Sequence, residues 1–547
     1  MNNTTWNTLL GYLQFAGFAI IAAALPFSNF LMSLGMFCLG GAVVLQIATD
    51  LTRKVPLSKR WKNFTENTSA VGVALLFVLP IVGLLWTSNF DYALWDVRMK
   101  LPLLVLPLFI SMANPLTQGQ FRALVGVYVV AVLIALLWCL QVYWMGSAEI
   151  DRDVRNSSVF ISHVRFALLI ALALGLVVRF AHQSTQGRVL ILLYAMPCLY
   201  FIYVIGSVTG VVALTALAVW GVTILIRQQP SSKRRLVYGA SLVLVIALVT
   251  AFFTSSYTRY FSVKDVDLNN LDARSRSGES YEHNLQFPLV ENGQYVLIYI
   301  ARNELYSAWQ ERSIIHPDSV DGRGHALYGT LIRYMASKGL RKDADGVVAL
   351  TNDDVRAIEL GIPNCNEPHQ GGLQKRLNRI FFEWSNYRAG GNPDGHSVMQ
   401  RLEFWKMAVW IIRNNALIGV GTGDVKDAYR EAYQANNSRL DEVYRLRAHN
   451  QYLTMWVTYG VVGFLLFVTI VVWPILSAKR SSSLNTMIVI LAALSFLTED
   501  TLESQAGVMF MGYFYSLFTA KRLVSLEELR RTKSKAKPLF SDDQGHK

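Results

Sequence analysis

The sequence predicts an all-α polytopic membrane protein of about twelve transmembrane helices, with one large, mainly helical loop subdomain between helices nine and ten. The 547 residues are 52% hydrophobic and only 16% charged, and the apolar residues fall in runs long enough to cross a bilayer. Lys and Arg cluster in connectors that share one side of the membrane in a twelve-helix count. One connector, 255–448, is polar and far too long for a turn.

Before the large loop, apolar stretches run over 9–25, 30–48, 70–87, 101–114, 122–145, 161–181, 189–206, 208–226 and 236–254. After it they run over 451–475, 484–498 and 505–520. The chain therefore divides into helices one to nine (1–254), the outer segment (255–448), helices ten to twelve (449–520) and a basic tail (521–547). The first stretch lacks a basic lead-in and a small-residue cleavage site, so it reads as a retained helix. The stretch 101–114 is short and holds Pro102 and Pro107, which fits either a spanning or a re-entrant segment.

Orientation follows from the basic clusters. Arg53, Lys54, Lys59, Arg60 and Lys62 lie between helices two and three, Arg227, Lys233, Arg234 and Arg235 between eight and nine, and Lys479 and Arg480 between ten and eleven. The tail adds Lys521, Arg522, Arg530, Arg531, Lys533, Lys535 and Lys537. All four groups fall on one side, which is expected to be cytoplasmic, with both termini inside. The tail is either solvated or in contact with anionic lipid. Much of the net charge of +13 is thus topogenic, and no nucleic acid is needed to explain it. Cys38, Cys139 and Cys198 lie in apolar stretches and Cys365 stands alone in the outer segment, so no disulfide framework or paired-cysteine metal site is expected.

The outer segment has periodic stretches of its own. Residues 294–310 and 327–340 read as helices, the second ending near Gly339. Thr351 with Asp354 predicts a capped helix that stops at Gly361. Asp265-Val-Asp267 and Asp343-Ala-Asp345 superficially resemble metal-binding carboxylate pairs but read as solvated loop positions. Over 401–412, Leu402, Trp405, Ala408, Val409 and Ile412 share one helical face. That pattern predicts an interfacial helix with Trp405 and Trp410 at the headgroups and Arg401 at phosphate depth; the competing reading is a helix buried in the subdomain.

The stretch 447–463 (RAHNQYLTMWVTYGVVG) carries the most chemistry. His449 and Asn450 stand just outside an apolar helix, and Gly460 and Gly463 lie three apart inside it, a spacing suited to close helix packing. Alone, His449 fits an interfacial hydrogen-bonding residue as well as a base. Ahead of it come Arg401, Trp405 and Ala408, then 418–423 (IGVGTG). After it comes 497–510 (LTEDTLESQAGVMF), and weaker likeness reaches back to 161–174 (ISHVRFALLIALAL) and 206–210 (GSVTG).

This order of elements resembles the O-antigen ligase family, which includes polysaccharide polymerases and bacterial protein O-oligosaccharyltransferases. Its pattern of His, then Asn, Ser or Gln, nine residues, Gly, two residues and Gly is met by His449, Asn450, Gly460 and Gly463. The resemblance implies a GT-C-like, inverting, metal-independent glycosyltransferase without a cofactor. It would transfer a glycan from undecaprenyl pyrophosphate to a periplasmic acceptor, with lipid A-core the first choice. It implies His449 as the catalytic base, and Arg401 and Arg165 as donor diphosphate ligands. Supporting candidates are Asn450, Arg447, Glu499, Asp500 and Arg98. Where the family often carries an arginine in the turn that reads GSVTG, this chain has Val208, so that contact is either missing or supplied by Arg98 or Lys100.

The chemistry of these residue types agrees. A pyrophosphate leaving group gathers negative charge that arginine neutralises bidentately. An acceptor hydroxyl needs a base that exchanges protons near neutral pH, which is histidine's range. Arg165 at a helix end reads either as functional or as a snorkelling anchor. Glu499, Asp500 and Glu503 are expected to pair with arginines of the site, and the first outer loop, 26–29, holds no carboxylate. The partners expected are the lipid-linked glycan, its acceptor and membrane lipid, at the bacterial inner membrane with the site facing the periplasm. A polymerase or a protein O-oligosaccharyltransferase would use the same donor site. A polysaccharide or lipid transporter would instead place its polar groups or broken helices near the midplane, often in repeated halves.

Overall fold

The computed structural model describes residues 3–146, 153–263, 266–287, 289–477 and 483–519. The basic tail 521–547, Lys479, Arg480 and Asp265 lie outside the described residues. The chain opens with a helical hairpin, α1 (Asn3–Ala24) and α2 (Asn29–Thr52), the second capped by Ser28, whose Oγ accepts from Leu31 N. Next come α3 (Ser58–Glu66), α4 (Thr68–Leu76) and α5 (Val78–Val82); α4 and α5 continue into a single apolar span, Thr68–Trp86. α6 (Phe90–Lys100) runs through a helical Leu101 into α7 (Pro102–Met112). α8 (Gln118–Met145), α9 (His163–Ala181), α10 (Thr185–Ile205), α11 (Val208–Gln228) and α12 (Ser232–Phe261) complete the first half.

The polar segment holds α13 (Arg302–Gln310), α14 (Leu327–Ser337), α15 (Ala344–Val348), α16 (Asn352–Glu359), α17 (Gly372–Arg388), α18 (Ser397–Asn414) and α19 (Val425–Ala435). The chain then returns to apolar helices: α20 (Gln451–Leu476), α21 (Ser483–Thr498) and α22 (Gln505–Thr519). Among the described residues, nine spans are long and apolar enough to cross a membrane. The protein is an all-α polytopic membrane protein. The other three predicted stretches are shorter helices: α7 with 11 residues, α21 with 16 and α22 with 15. At ~1.5 Å per residue, α7 rises only ~17 Å, about half of a ~30 Å hydrocarbon core.

Packing explains how so short a helix is tolerated. α7 ends against Arg60, which is 8% exposed and donates to Met112 O at 2.5 Å, to Asn114 Oδ1 at 3.0 Å and to Asp50 Oδ2 at 2.7 Å. The last carbonyl of α7 thus meets a buried cation. Arg60, expected only as a topogenic charge, is also a structural clamp. α22 lies at the centre of the bundle and is buried on nearly every face. Its Tyr513 donates to Phe18 O at 3.0 Å and its Tyr515 to Val471 O at 2.9 Å, so both phenol groups are satisfied. α12 is the reverse case: its buried residues are Ser256 and Tyr260, at the C-terminal end, and its apolar window is otherwise exposed.

The outer segment folds around Leu305, Trp309, Leu331, Met335, Val347 and Ile358. Thr351 and Asp354 form the expected capping box, and Gly361 (φ 82°) closes α16. The first part of 294–310 is not helical. Val290–Glu291 pairs antiparallel with Gln294–Tyr295 across Asn292 and Gly293, both at positive φ, and only Arg302–Gln310 is helical. The Asn-Gly dipeptide favours this tight hairpin and overrides the apolar periodicity behind it. Asp343 is also not solvated: it is 4% exposed, accepts from Gly346 N at 2.8 Å and from the Tyr281 hydroxyl, and caps α15. Next to it, burial pushes Lys342 down to about 7, with Nζ donating to Tyr295 O at 3.0 Å and Ile298 O at 3.2 Å.

The helix over 401–412 forms as part of α18, but a different face is buried. Met399, Glu403, Phe404, Met407, Ala408 and Ile411 are inside, and Val409 is 40% exposed. α18 packs on α19 and the start of α20 through a core containing Phe404, Met407, Ile411, Val425, Tyr429 and Tyr433. Partner helices on this side decide the face, and Trp405 is turned so that its Nε1 donates to Ala448 O at 3.0 Å.

Candidate active site

The site is assembled where α18, α9, the turn between α21 and α22, and the entry to α20 meet. His449 precedes α20 with φ 47°, a conformation that costs a non-glycine residue about 1–3 kcal/mol and persists only when its surroundings impose it. Here Asp500 imposes it. One carboxylate oxygen accepts from His449 N at 3.0 Å; the other accepts from Asn450 N at 3.0 Å and Thr454 Oγ1 at 2.6 Å. Asn450 is the N-cap of α20, its Oδ1 accepting from Tyr452 N and Leu453 N at 3.0 and 3.2 Å. Asp500 and Asn450 therefore fix the backbone from which the imidazole projects.

Around that imidazole stand one carboxylate and two guanidiniums. Glu499 Oε2 lies 3.8 Å from His449 Nδ1 and 3.8 Å from Arg165 Nη2, and Glu499 Oε1 accepts from Arg401 Nη2 at 3.2 Å. Burial opposes ionisation of Glu499, but His449, Arg401 and Arg165 together hold its carboxyl below the usual range. The His449 ring is tilted over Phe404 at 5.7 Å. One carboxylate facing two arginines leaves a surplus of positive charge. Moreover, Arg165 Nε, Arg401 Nε and His449 Nδ1 are buried with no hydrogen-bond partner among the described residues. The two guanidinium N–H donors mark a place where an anionic group completes the network.

Behind the site lies a dry ion network. Lys100 Nζ sits 2.8 Å from Asp96 Oδ2 and 2.9 Å from Glu503 Oε1, and Arg447 Nη2 is 2.9 Å from Glu503 Oε2. Glu503 has two cations, and despite complete burial they hold it down to about 2. Asp96 has one cation and a carboxylate neighbour, so burial prevails and pushes it up to about 6. One sequence expectation is corrected by this network: Lys100 is spent on two carboxylates and is not a free phosphate ligand. Arg447, a supporting candidate, pairs with Glu503. Arg98 projects from the exposed side of α6 and makes no ion pair among the described residues.

The glycines of the motif also act differently from a packing pair. Gly460 has φ 66° and ψ −168°, which breaks α20. Into the break fits the loop 418–423: Val420 N donates to Val457 O at 2.9 Å, Gly421 N to Thr458 O at 3.0 Å, and Val461 N to Ala416 O at 2.9 Å. A Cβ at Gly460 would lie 2.1 Å from Leu417 O, and one at Gly463 would lie 2.2 Å from Tyr459 Cβ. The Ile-Gly-Val-Gly-Thr-Gly loop is thus a splint for a broken helix, since carbonyls freed inside a membrane bundle need partners. Gly460→Ala is expected to lose at least the roughly 1–3 kcal/mol of backbone strain, and thermal melting in detergent checks it.

Sequence reading missed a second basic group. Arg155, Arg376 and Arg379 gather near His163, beside a cavity of about 530 Å³ lined by Asp153, Arg155, Asn156, Ser158, Ser162 and His163. Arg155 is paired with Asp153 at 2.5 Å. Arg376 donates to Ser397 Oγ at 2.8 Å and lies 3.7 Å from Glu383. Burial, together with the nearby Arg155 and Arg379, brings Arg376 down to about 10. Arg376 also sits against the GSVTG turn, because a Cβ on Gly206 would come 3.1 Å from Arg376 Cβ. The turn that lacks an arginine at Val208 is therefore met by one from α17. The arginine spacing at 376 and 379 was visible in the sequence, but nothing local joined α17 to a turn so distant in the chain.

With this geometry in place, comparison with known proteins adds two findings. Residues 368–468 match the family model described as O-antigen ligase, a stretch that includes Arg376, Arg379, Arg401, His449, Gly460 and Gly463. The chain is also 26% identical over 122 residues to an uncharacterized protein of Haemophilus influenzae, covering 22% of this chain and 30% of that protein.

Proposed function

We propose that this protein is an inverting glycosyltransferase that moves a glycan from undecaprenyl pyrophosphate to an acceptor hydroxyl at the periplasmic face of the bacterial inner membrane, with lipid A-core as the acceptor. The observation that carries this reading is the convergence of Arg401 and Arg165 on Glu499 beside His449, with buried guanidinium donors left open. Such a site suits a diphosphate next to a base. The match of 368–468 to an O-antigen ligase model supports the same reading.

In this mechanism His449 accepts the proton of the acceptor hydroxyl as its oxygen attacks the anomeric carbon. The bond from that carbon to the pyrophosphate oxygen breaks on the opposite face, so the configuration inverts. Undecaprenyl pyrophosphate leaves with its charge on Arg401 and Arg165. Glu499 steadies the imidazolium, and the proton then passes to water. Asp500 and Asn450 are positioning residues, acting through the backbone of His449. The charged groups of the site, Arg165, Arg401, His449 and Glu499, gather near helix ends.

Purified protein is to be given lipid-linked glycan with lipid A-core, with a second donor molecule, or with a Ser/Thr peptide, each with and without chelator. Transfer to lipid A-core is expected, and transfer without chelator sensitivity supports a metal-free reaction. Transfer only to a second donor or only to peptide would reassign the acceptor to polysaccharide or protein. Release of undecaprenyl pyrophosphate without transfer would replace the reading with hydrolysis. Arg401→Ala is expected to raise the donor KM about tenfold or more, the cost of losing a charged hydrogen bond; unchanged KM and kcat would remove Arg401 from the diphosphate site.

A further inference from the structure

α17 has two chemically distinct faces. Arg376, Arg379 and Glu383 fall on the face turned to the basic cavity beside the active site. Gln374, Asn378 and Phe381 fall on the opposite face, where α17 meets the C-terminal end of α12. There a separate cavity of about 340 Å³ is bounded by Tyr260, Asn292, Asn366, Gln370, Gln374 and Asn378, among others. Its wall is dominated by primary amides, with His369 and the exposed Arg259 as the ionisable groups and no carboxylate.

The amides are already oriented. Ser256 Oγ donates to Gln374 Oε1, Gln374 Nε2 to Asn378 Oδ1, and Asn378 Nδ2 to Gln370 Oε1, each at 2.9 Å. This ladder uses one N–H and one carbonyl lone pair at Asn378 and at Gln374, and each amide has a second of both. The result is a row of fixed donors and acceptors with spare capacity, the complement of vicinal sugar hydroxyls. Beside it stands an aromatic cluster: Phe381 lies 5.4 Å from Tyr260, 5.7 Å from Tyr257 and 5.6 Å from Phe261. A second observation points to a ligand. Tyr260 is 2% exposed, lines the cavity, and has a hydroxyl with no partner among the described residues. An orphan phenol buried in a polar cavity is costly unless a ligand hydroxyl completes it.

We propose that this amide and tyrosine cavity is a sugar-binding subsite that holds a neutral residue of the glycan substrate while its reducing end is at His449. The inference rests on the glycosyltransferase reading above and names where, and by which side chains, the glycan itself is recognised. Fixed amides discriminate sugars by hydroxyl pattern, because an analogue lacking a hydroxyl leaves a buried amide unpaired. The cavity lies on the face of α17 opposite Arg376 and Arg379, so a glycan held in both places passes around the helix. It is built from the junction of α12, the outer segment and α17, so the outer segment supplies part of the wall through Asn292 and Asn366.

The test uses full-length protein in detergent and the oligosaccharide released by mild acid from the lipid-linked glycan of the source organism. Binding is read by saturation-transfer NMR and calorimetry. Wild-type protein and His449→Ala are expected to bind it equally, since the subsite is remote from the base. Tyr260→Phe is expected to weaken binding about fivefold, the value of one hydrogen bond, with no loss of melting temperature because that hydroxyl has no protein partner. Gln374→Leu with Asn378→Leu is expected to abolish binding and raise the KM for the full-length donor glycan. Equal affinity for wild type and Tyr260→Phe, or no binding by wild type, overturns the subsite. Loss of transfer from every acceptor with oligosaccharide binding still sensitive to Tyr260→Phe would instead overturn the enzymatic reading and leave the subsite standing.

Discussion

Replacing His449 with Ala is expected to lower the rate of glycan transfer about 10²–10⁴-fold, the usual contribution of a positioned general base, while lipid-linked donor still binds. The measurement is single-turnover transfer with purified protein, alongside donor binding and melting in detergent. His449 is suited to so clean a separation. Its side chain is 35% exposed and its tie to the fold runs through its backbone N–H, which donates to Asp500 and which alanine retains. Wild-type turnover by the variant would end the assignment of His449 as base. Asp500→Asn gives the complementary result: the imidazole remains, but the carboxylate that accepts from His449 N, Asn450 N and Thr454 Oγ1 is lost. A fall in kcat with little change in donor KM is expected there, because the base is misplaced and not removed.

The second large effect is on stability. Glu503→Ala is expected to destabilise the protein by about 3–5 kcal/mol, read as a lower melting temperature in detergent. Lys100 keeps Asp96, but Arg447, whose side chain is 19% exposed, loses the buried carboxylate that pairs with it. Replacing Glu503 and Arg447 together with Met is expected to recover much of the loss, since it leaves no uncompensated buried charge. If the double variant is as unstable as the single, the ion pair is not the cause. The same residue sets an acid limit. Glu503 is held down to about 2 from an ordinary 4.5, so its stabilisation is fully present above about pH 4.5 and is lost as pH falls toward 2. Glu503→Gln is expected to remove that acid limb from the melting profile, and an unchanged limb would assign it to other carboxylates.

Much of the fold was legible because it is written in local hydropathy. All the apolar stretches read as spans are helices, and Thr351 with Asp354 capped α16 as its spacing required. The errors fell where a distant partner decided the outcome. α7 is shorter than a bilayer and is closed by Arg60, a residue that in the sequence reads only as a cytoplasmic charge. The apolar stripe of 401–412 named one face, and packing on α19 and α20 buried another. Gly460 and Gly463 looked like a contact between helices, but Gly460 breaks its own helix to receive 418–423.

The candidate site divides in the same way. By itself the sequence determined an all-helical membrane chain, a polar segment large enough to fold, and a His-Asn-Gly-Gly spacing that singles out His449. These depend on composition and on spacing within one helix, and the chain carries such information locally. Only the tertiary structure decided which charges act together. It placed Glu499 between Arg401, Arg165 and His449, sent Lys100 and Arg447 to Glu503, and brought Arg376 to the turn at Val208. Ion pairs and orphaned donors depend on distances of a few ångströms between residues far apart in sequence, and only packing of the whole bundle sets those distances.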